Sequence, residues 1–209
     1  MNSYESILLE LDKGITGIEA ARRMLRENIR DEINTRNGSK KPASIIKSMF
    51  TRLDKFERPR FEFANVYGDR FAFLDGHRLY ISDSSFGYPV KDHTCGGFKV
   101  DQIINVDMDG YTELKIDIRE LEYFLKTNKP PKKGTPTPYI IRTPDGFACY
   151  NPLYLLDLLK YTESDTILYK DARAPIYSKD KNALTLPINS KYMNEEKYTE
   201  YRDKYFIAA

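Results

Sequence analysis

The hydrophobic period of this chain changes at Arg60, from three-to-four residues before it to two after it. No single regular structure satisfies both periods, so the chain must be mixed. Upstream, Tyr4, Ile7, Leu8 and Leu11, then Ile15, Ile18, Ala21, Met24, Leu25, Ile29 and Ile33, recur at helical spacing. Gly14 interrupts them, and Thr16 with Glu19 has capping-box spacing. The pattern predicts a short helix over 3–12 and a longer one over 16–35, with Arg22, Arg23, Arg26 and Arg30 on the face opposite the apolar one. A loop is expected at 36–42 (RNGSKKP), then a helix from Ser44 to Phe56, closed by Pro59. Downstream, Phe61, Phe63 and Val66, a turn at Tyr67-Gly68-Asp69, Phe71 and Phe73, a turn at Asp75-Gly76, and Leu79 and Ile81 describe an antiparallel meander.

The same order recurs in the second half. Residues 82–98, which include HTCGG, read as loop, and Val100 to Val106 as a strand. Ile116 to Lys126 has helical spacing with Asp117 as its cap. Residues 127–138 hold four prolines and read as a linker or exposed loop. Tyr139–Ile141 and Phe147–Tyr150 flank Pro144-Asp145-Gly146 as a hairpin, and Asn151-Pro152 opens a helix over 153–160. Short strands are expected at 166–169, 176–177 and 183–188. The 16 tyrosines and 11 phenylalanines, with no tryptophan, favour pleated, half-buried surfaces. The expectation is an α+β fold of two stacked halves, each a helix with an antiparallel meander. An N-terminal helical segment (1–42) precedes the main domain (43–190, halves about 43–110 and 111–190). Residues 191–209 are either a docked helix or a frayed tail.

Charge is nearly balanced overall but unevenly placed. Residues 1–60 hold 13 Lys/Arg against 9 Asp/Glu, and the remainder 20 against 22. This allows a basic N-terminal face, although a solvated helix surface has the same composition. Two distant cysteines, Cys95 and Cys149, make no disulfide framework and fit a reducing compartment. The N-terminus has no basic stretch followed by an apolar one, and no apolar run approaches the roughly 20 residues of a membrane span. A cytoplasmic chain without membrane partners is expected.

The chemistry-bearing residue types are thinly spread. There is no glycine-rich phosphate loop, so no nucleotide cofactor is expected. His93 and Cys95 could face one metal ion, but a zinc site needs about four ligands and no second Cys/His pair exists. Cys149 with His77 or His93 would be a nucleophilic pair, yet Cys149 lies in a strand-like run where inert buried thiols are the rule. The expectation is no catalytic residue, no metal, no cofactor and no enzyme.

Two stretches resemble bacterial DNA sliding clamps, the polymerase processivity β subunits. Residues 43–82 resemble a clamp half-domain, with Asp75, Gly76, His77, Arg78 and Leu79 matching its D-G-H-R-L turn and Leu74 standing where threonine is usual. Residues 150–188 resemble the last half-domain. There Asn151, Tyr154, Leu155, Asp157 and Leu158 match its helix, and Leu184, Leu186, Pro187 and Ile188 its closing strand. Together they cover about 80 residues, and neither the first 40 residues nor 127–138 has a counterpart.

The resemblance implies a non-enzymatic, DNA-associated replication scaffold. By it, Arg22, Arg23, Arg26, Arg30, Lys47 and Arg52 would meet the double-stranded DNA backbone without reading bases. Replication or repair proteins would dock in a pocket of Gly76, His77, Arg78, Leu79, Leu184, Leu186 and Pro187. A clamp subunit has three domains and this chain has one clear domain, alone or with part of another, so a ring would require a homo-oligomer. The alternative is a monomeric interaction or regulatory module of a phage or mobile element that binds no DNA.

Overall fold

The computed structural model describes residues 7–8, 14–54, 63–91, 100–129, 136–144, 146–188 and 194–206. The chain builds helix α1 (Ile15–Arg36), α2 (Lys40–Asp54), strands β1 (Ala64–Tyr67), β2 (Arg70–Leu74), β3 (Arg78–Ser82) and β4 (Val90–Lys91), then short helix α3 (Val100–Ile104). Strand β5 (Thr112–Lys115), helix α4 (Ile118–Thr127), hairpin β6 (Tyr139–Thr143) and β7 (Gly146–Tyr150), and helix α5 (Pro152–Tyr161) follow. Strands β8 (Thr166–Tyr169), β9 (Ile176–Ser178) and β10 (Ala183–Thr185) and helix α6 (Glu195–Phe206) complete it.

Eight strands form one sheet in the order β4-β1-β2-β3-β10-β9-β8-β5, antiparallel except where β4 lies parallel to β1; β6 and β7 form a separate pair. The order is symmetric about its middle. α2 leads into β1-β2-β3 and α5 into β8-β9-β10, and the two meanders join where β3 pairs with β10. The halves are therefore edge to edge in one sheet, not stacked as the sequence suggested. Period-two alternation explains why both faces are covered. Phe73, Tyr80, Ala183, Ile176, Ile167 and Tyr169 face a core built with Ile46, Met49 and Phe50 of α2, Leu121 and Phe124 of α4, and Leu155 and Leu158 of α5. Their neighbours Ala72, Leu74, Leu79, Ile81, Tyr177 and Leu184 face the other way, under Val100 and Ile104 of α3.

Side-chain caps set the starts of α4, α5 and α6. The Asp117 carboxylate accepts from the Arg119 and Glu120 N–H groups, and the Asn151 side chain from Leu153 N–H ahead of Pro152. Asn194 Oδ1 accepts from Lys197 N–H, and α6 is a docked helix whose Tyr201 is buried against Phe124.

Several expectations are corrected. Val100 to Ile104 is helical, because Val100, Ile103 and Ile104 follow an i, i+3, i+4 pattern that overrides the strand preference of valine and isoleucine. β5 was missed because it is an edge strand with little apolar alternation and mostly exposed side chains. α2 starts at Lys40 inside the expected loop, since Pro42 in a first turn forfeits no helical hydrogen bond. α1 opens at Ile15 from Gly14 rather than at Thr16. Ile18, Leu25, Ile29 and Ile33 do not form a buried face; they are exposed, and Gly17, Ala21 and Asn34 are buried instead. Most of the expected 3–12 helix, the residues from Lys55 to Glu62, the HTCGG segment and 130–135 lie outside the described residues.

Replacing Asn151 by alanine is expected to lower unfolding stability by about 1 kcal/mol, and Leu155→Ala, in the shared core, by about 2–5 kcal/mol, both read from urea denaturation. Burial raises the phenols of Tyr161 and Tyr177 from an ordinary 10.0 to about 12. Folding raises these values, so their contribution is complete below pH 10 and is lost as pH rises from 10 toward 12. Melting temperatures across that interval should fall; a flat profile would contradict the burial.

Candidate functional site

The D-G-H-R-L turn is fixed from inside. Asp75 Oδ1 accepts from the His77 and Arg78 N–H groups at 2.9 and 2.8 Å. Gly76 sits at φ 85°, where a glycine is at ease. The turn then delivers Arg78 into the protein: 2% of the residue is exposed. Its Nε donates to Asp75 Oδ2 at 2.9 Å and its Nη1 to Asp157 Oδ2, on α5, at 2.7 Å. Its guanidinium carbon lies 4.0 Å from the centroid of Tyr154, whose ring also stacks on His77. Burial opposes the charge, but Tyr80 and the carboxylates of Asp75 and Asp157 outweigh it and hold the guanidinium above its ordinary value. Burial also pushes the neighbouring Tyr80 phenol well above its usual range. Arg78 thus bolts the β2–β3 turn to the helix of the other half.

The turn and the closing strand meet through the β3–β10 register, which pairs Arg78 with Thr185 and Leu79 with Leu184. Leu186 N–H donates to the His77 carbonyl at 2.9 Å. Beside this junction lies an apolar groove of about 360 Å³ lined by Leu74, Gly76, His77, Arg78, Leu79, Leu184 and Leu186, with Ile103, Val106, Pro175 and Tyr177. Six of the seven residues named from the sequence converge on it; Pro187 does not line it. The lining from Ile103, Val106, Pro175 and Tyr177 was missed. The signal for Ile103 was the helical spacing from Val100, obscured by its strand-forming side chain. Val106 and Leu186 are 36% and 39% exposed, so the groove has an open apolar rim.

The arginines of α1 also gather. Arg22, Arg23, Arg26 and Arg30 line a second groove of about 840 Å³ with Glu19, Phe63 and Tyr88. The Arg30 guanidinium lies 4.4 Å from the Tyr88 centroid. Its stem passes so close to Gly87 that a Cβ there would stand 2.7 Å from Arg30 Cγ. Lys47 is placed differently: it reaches Asp31 at 2.8 Å and Glu27 at 3.8 Å, so its charge is spoken for by α1. The side chain of Arg52 lies outside the described residues.

Nucleophilic chemistry finds no support at Cys149. Burial raises its thiol to about 11, and its carbonyl accepts from Ile188 N–H at 2.7 Å as part of the β-structure. Among the described residues no cluster of His, Cys, Asp and Glu could hold a metal ion, and no helix is long and apolar enough to cross a membrane. His93 and Cys95 lie outside those residues.

No protein-family model and no curated protein matches the sequence. Among solved structures, the chain is similar to a protein assigned as a DNA polymerase III beta subunit from Eubacterium rectale, at 18% identity and a TM-score of 0.35 over 58% of this chain. It is also similar to the sliding clamp of Bartonella birtlesii bound to griselimycin, at 14% identity and a TM-score of 0.31 over 57% of this chain. In each case it spans 41% of the other protein's length.

Exchanging Arg78 for methionine leaves two carboxylates, one buried and one largely buried, facing each other and should cost about 3–5 kcal/mol of stability. Leu186→Ser, on the groove rim, should stay within about 0.5 kcal/mol. Urea denaturation of both separates the bolt from the rim; equal losses would contradict the division.

Proposed function

We propose that this chain is a clamp-like, non-enzymatic scaffold that captures a short apolar segment of a replication or repair protein in the groove between the Asp75–Leu79 turn and the Leu184–Leu186 strand. The observation that carries the reading is convergence. Residues from two segments about a hundred positions apart, each named from its resemblance to a clamp half-domain, line one apolar groove. An apolar floor with an open rim and one imidazole suits a peptide anchored by aliphatic or aromatic side chains. The symmetric sheet order, with α2 and α5 leading into its two halves, supports the same reading of residues 43–190.

Contact with the DNA backbone is the second part of the proposal, and it narrows to α1. Lys47 is neutralised by Asp31 and Glu27, and Lys160, the basic residue of α5, by Glu122 at 2.7 Å. That neutralisation favours, as a second reading, an interaction module that binds no DNA. A homo-oligomer would be needed for any ring, since the groove and sheet described here belong to one domain.

Two experiments test these readings. A panel of short, labelled leucine- and phenylalanine-containing peptides should bind the full chain, and Leu186→Asp with Val106→Asp should weaken binding about tenfold or more. Unchanged binding would refute the groove. Duplex DNA should be retained at low salt, and removing Arg22, Arg23 and Arg26 should flatten the slope of log K against log salt by about 0.9 per arginine. No retention at low salt would leave the interaction module.

A further inference from the structure

α1 has two sides with different characters. Gly17, Ala21 and Asn34 are buried against the body of the protein. Alongside them, Ile18, Leu25, Ile29 and Ile33 are 38 to 49% exposed. Their spacings of seven, four and four place them in one stripe about 22 Å long. Single exposed aliphatic residues are ordinary, but an aligned set of four marks an interaction surface. Spacing sets Arg22 and Arg26 within this stripe rather than on the face opposite it, as the sequence suggested, and together with Arg23 and Arg30 they line the groove on its flank. Arg22, Arg23 and Arg26 have no ion-pair partner among the described residues.

The occupant must account for both kinds of side chain. Phosphate would use the arginines and leave the isoleucines unexplained. A second copy of α1 would bring its own Arg22 and Arg26 against the same cations, which is repulsive. A membrane surface asks for an unbroken apolar face, and here two arginines interrupt it. What fits is an amphipathic helix with aliphatic residues at heptad spacing and carboxylates beside them. We propose that the outward face of α1 docks such an acidic amphipathic helix from a partner protein. This does not rest on the scaffold reading or on the peptide groove. It would share Arg22 and Arg26 with a DNA backbone, so the two occupants exclude each other.

The test uses the full chain and a synthetic amphipathic helix with leucines at heptad spacing and flanking glutamates. Its controls are the same peptide with lysines for glutamates, a DNA duplex, and vesicles containing phosphatidylserine. The glutamate peptide should bind and the lysine peptide should not. Ile29→Ser with Ile33→Ser should weaken peptide binding about tenfold or more and leave duplex binding unchanged, while Arg22→Glu with Arg26→Glu should abolish peptide binding. Both isoleucines are exposed, so their replacement does not threaten folding. Peptide binding without duplex binding upholds the inference and removes the DNA contact. The inference is overturned if the glutamate peptide binds no better than its lysine counterpart, if the serine variants bind it unchanged, or if only the vesicles are captured.

Discussion

A guanidinium cut off from water must keep its counter-charges within hydrogen-bond reach, and Arg78 does so by holding Asp75 on its own turn and Asp157 on the helix of the other half. This places three constraints at once. The turn between β2 and β3 is locked, because Asp75 also caps its backbone. Helix α5 is held at one position above the sheet. The two meanders, joined by the β3–β10 ladder, by packing and by hydrogen bonds such as Arg70–Asn182 and Tyr161–Ile81, gain a charged fastening directly beside that ladder.

The groove follows from this arrangement. With Arg78 turned inward, its neighbours alternate outward: Leu79 and Leu184 form the floor, while His77 and Leu186 stand at the mouth, tied by a backbone hydrogen bond. A shift of β10 by one residue would exchange the leucines for Thr185 and Ala183 and erase the apolar floor. The shape of the candidate site is thus a consequence of register, and the register is guarded by a buried charge.

Much of this was legible in the sequence where local signals are strong. Asp117 and Asn151-Pro152 marked their helices through capping chemistry, and the Gly68 and Gly76 turns marked the meander. That the D-G-H-R-L turn and the L-T-L-P-I strand adjoin was implied by their resemblance to clamp half-domains rather than by any local signal. Long-range facts were not legible. Nothing local says that Arg78 pairs with Asp157, 79 positions away, or that Lys47 spends its charge on α1. The residues Val100 to Val106 were misread because valine and isoleucine suit strands, and the outward isoleucines of α1 because helical spacing reports a stripe without saying which way it faces.

The central claim is that Arg78 and Asp157 fasten the two halves together, and a double-mutant cycle tests it most directly. Arg78→Met, Asp157→Leu and the double variant would each be unfolded in urea. The account predicts that the double variant is less destabilised than the sum of the single ones, by about 2 kcal/mol or more. Losses that add to within about 0.5 kcal/mol would contradict it.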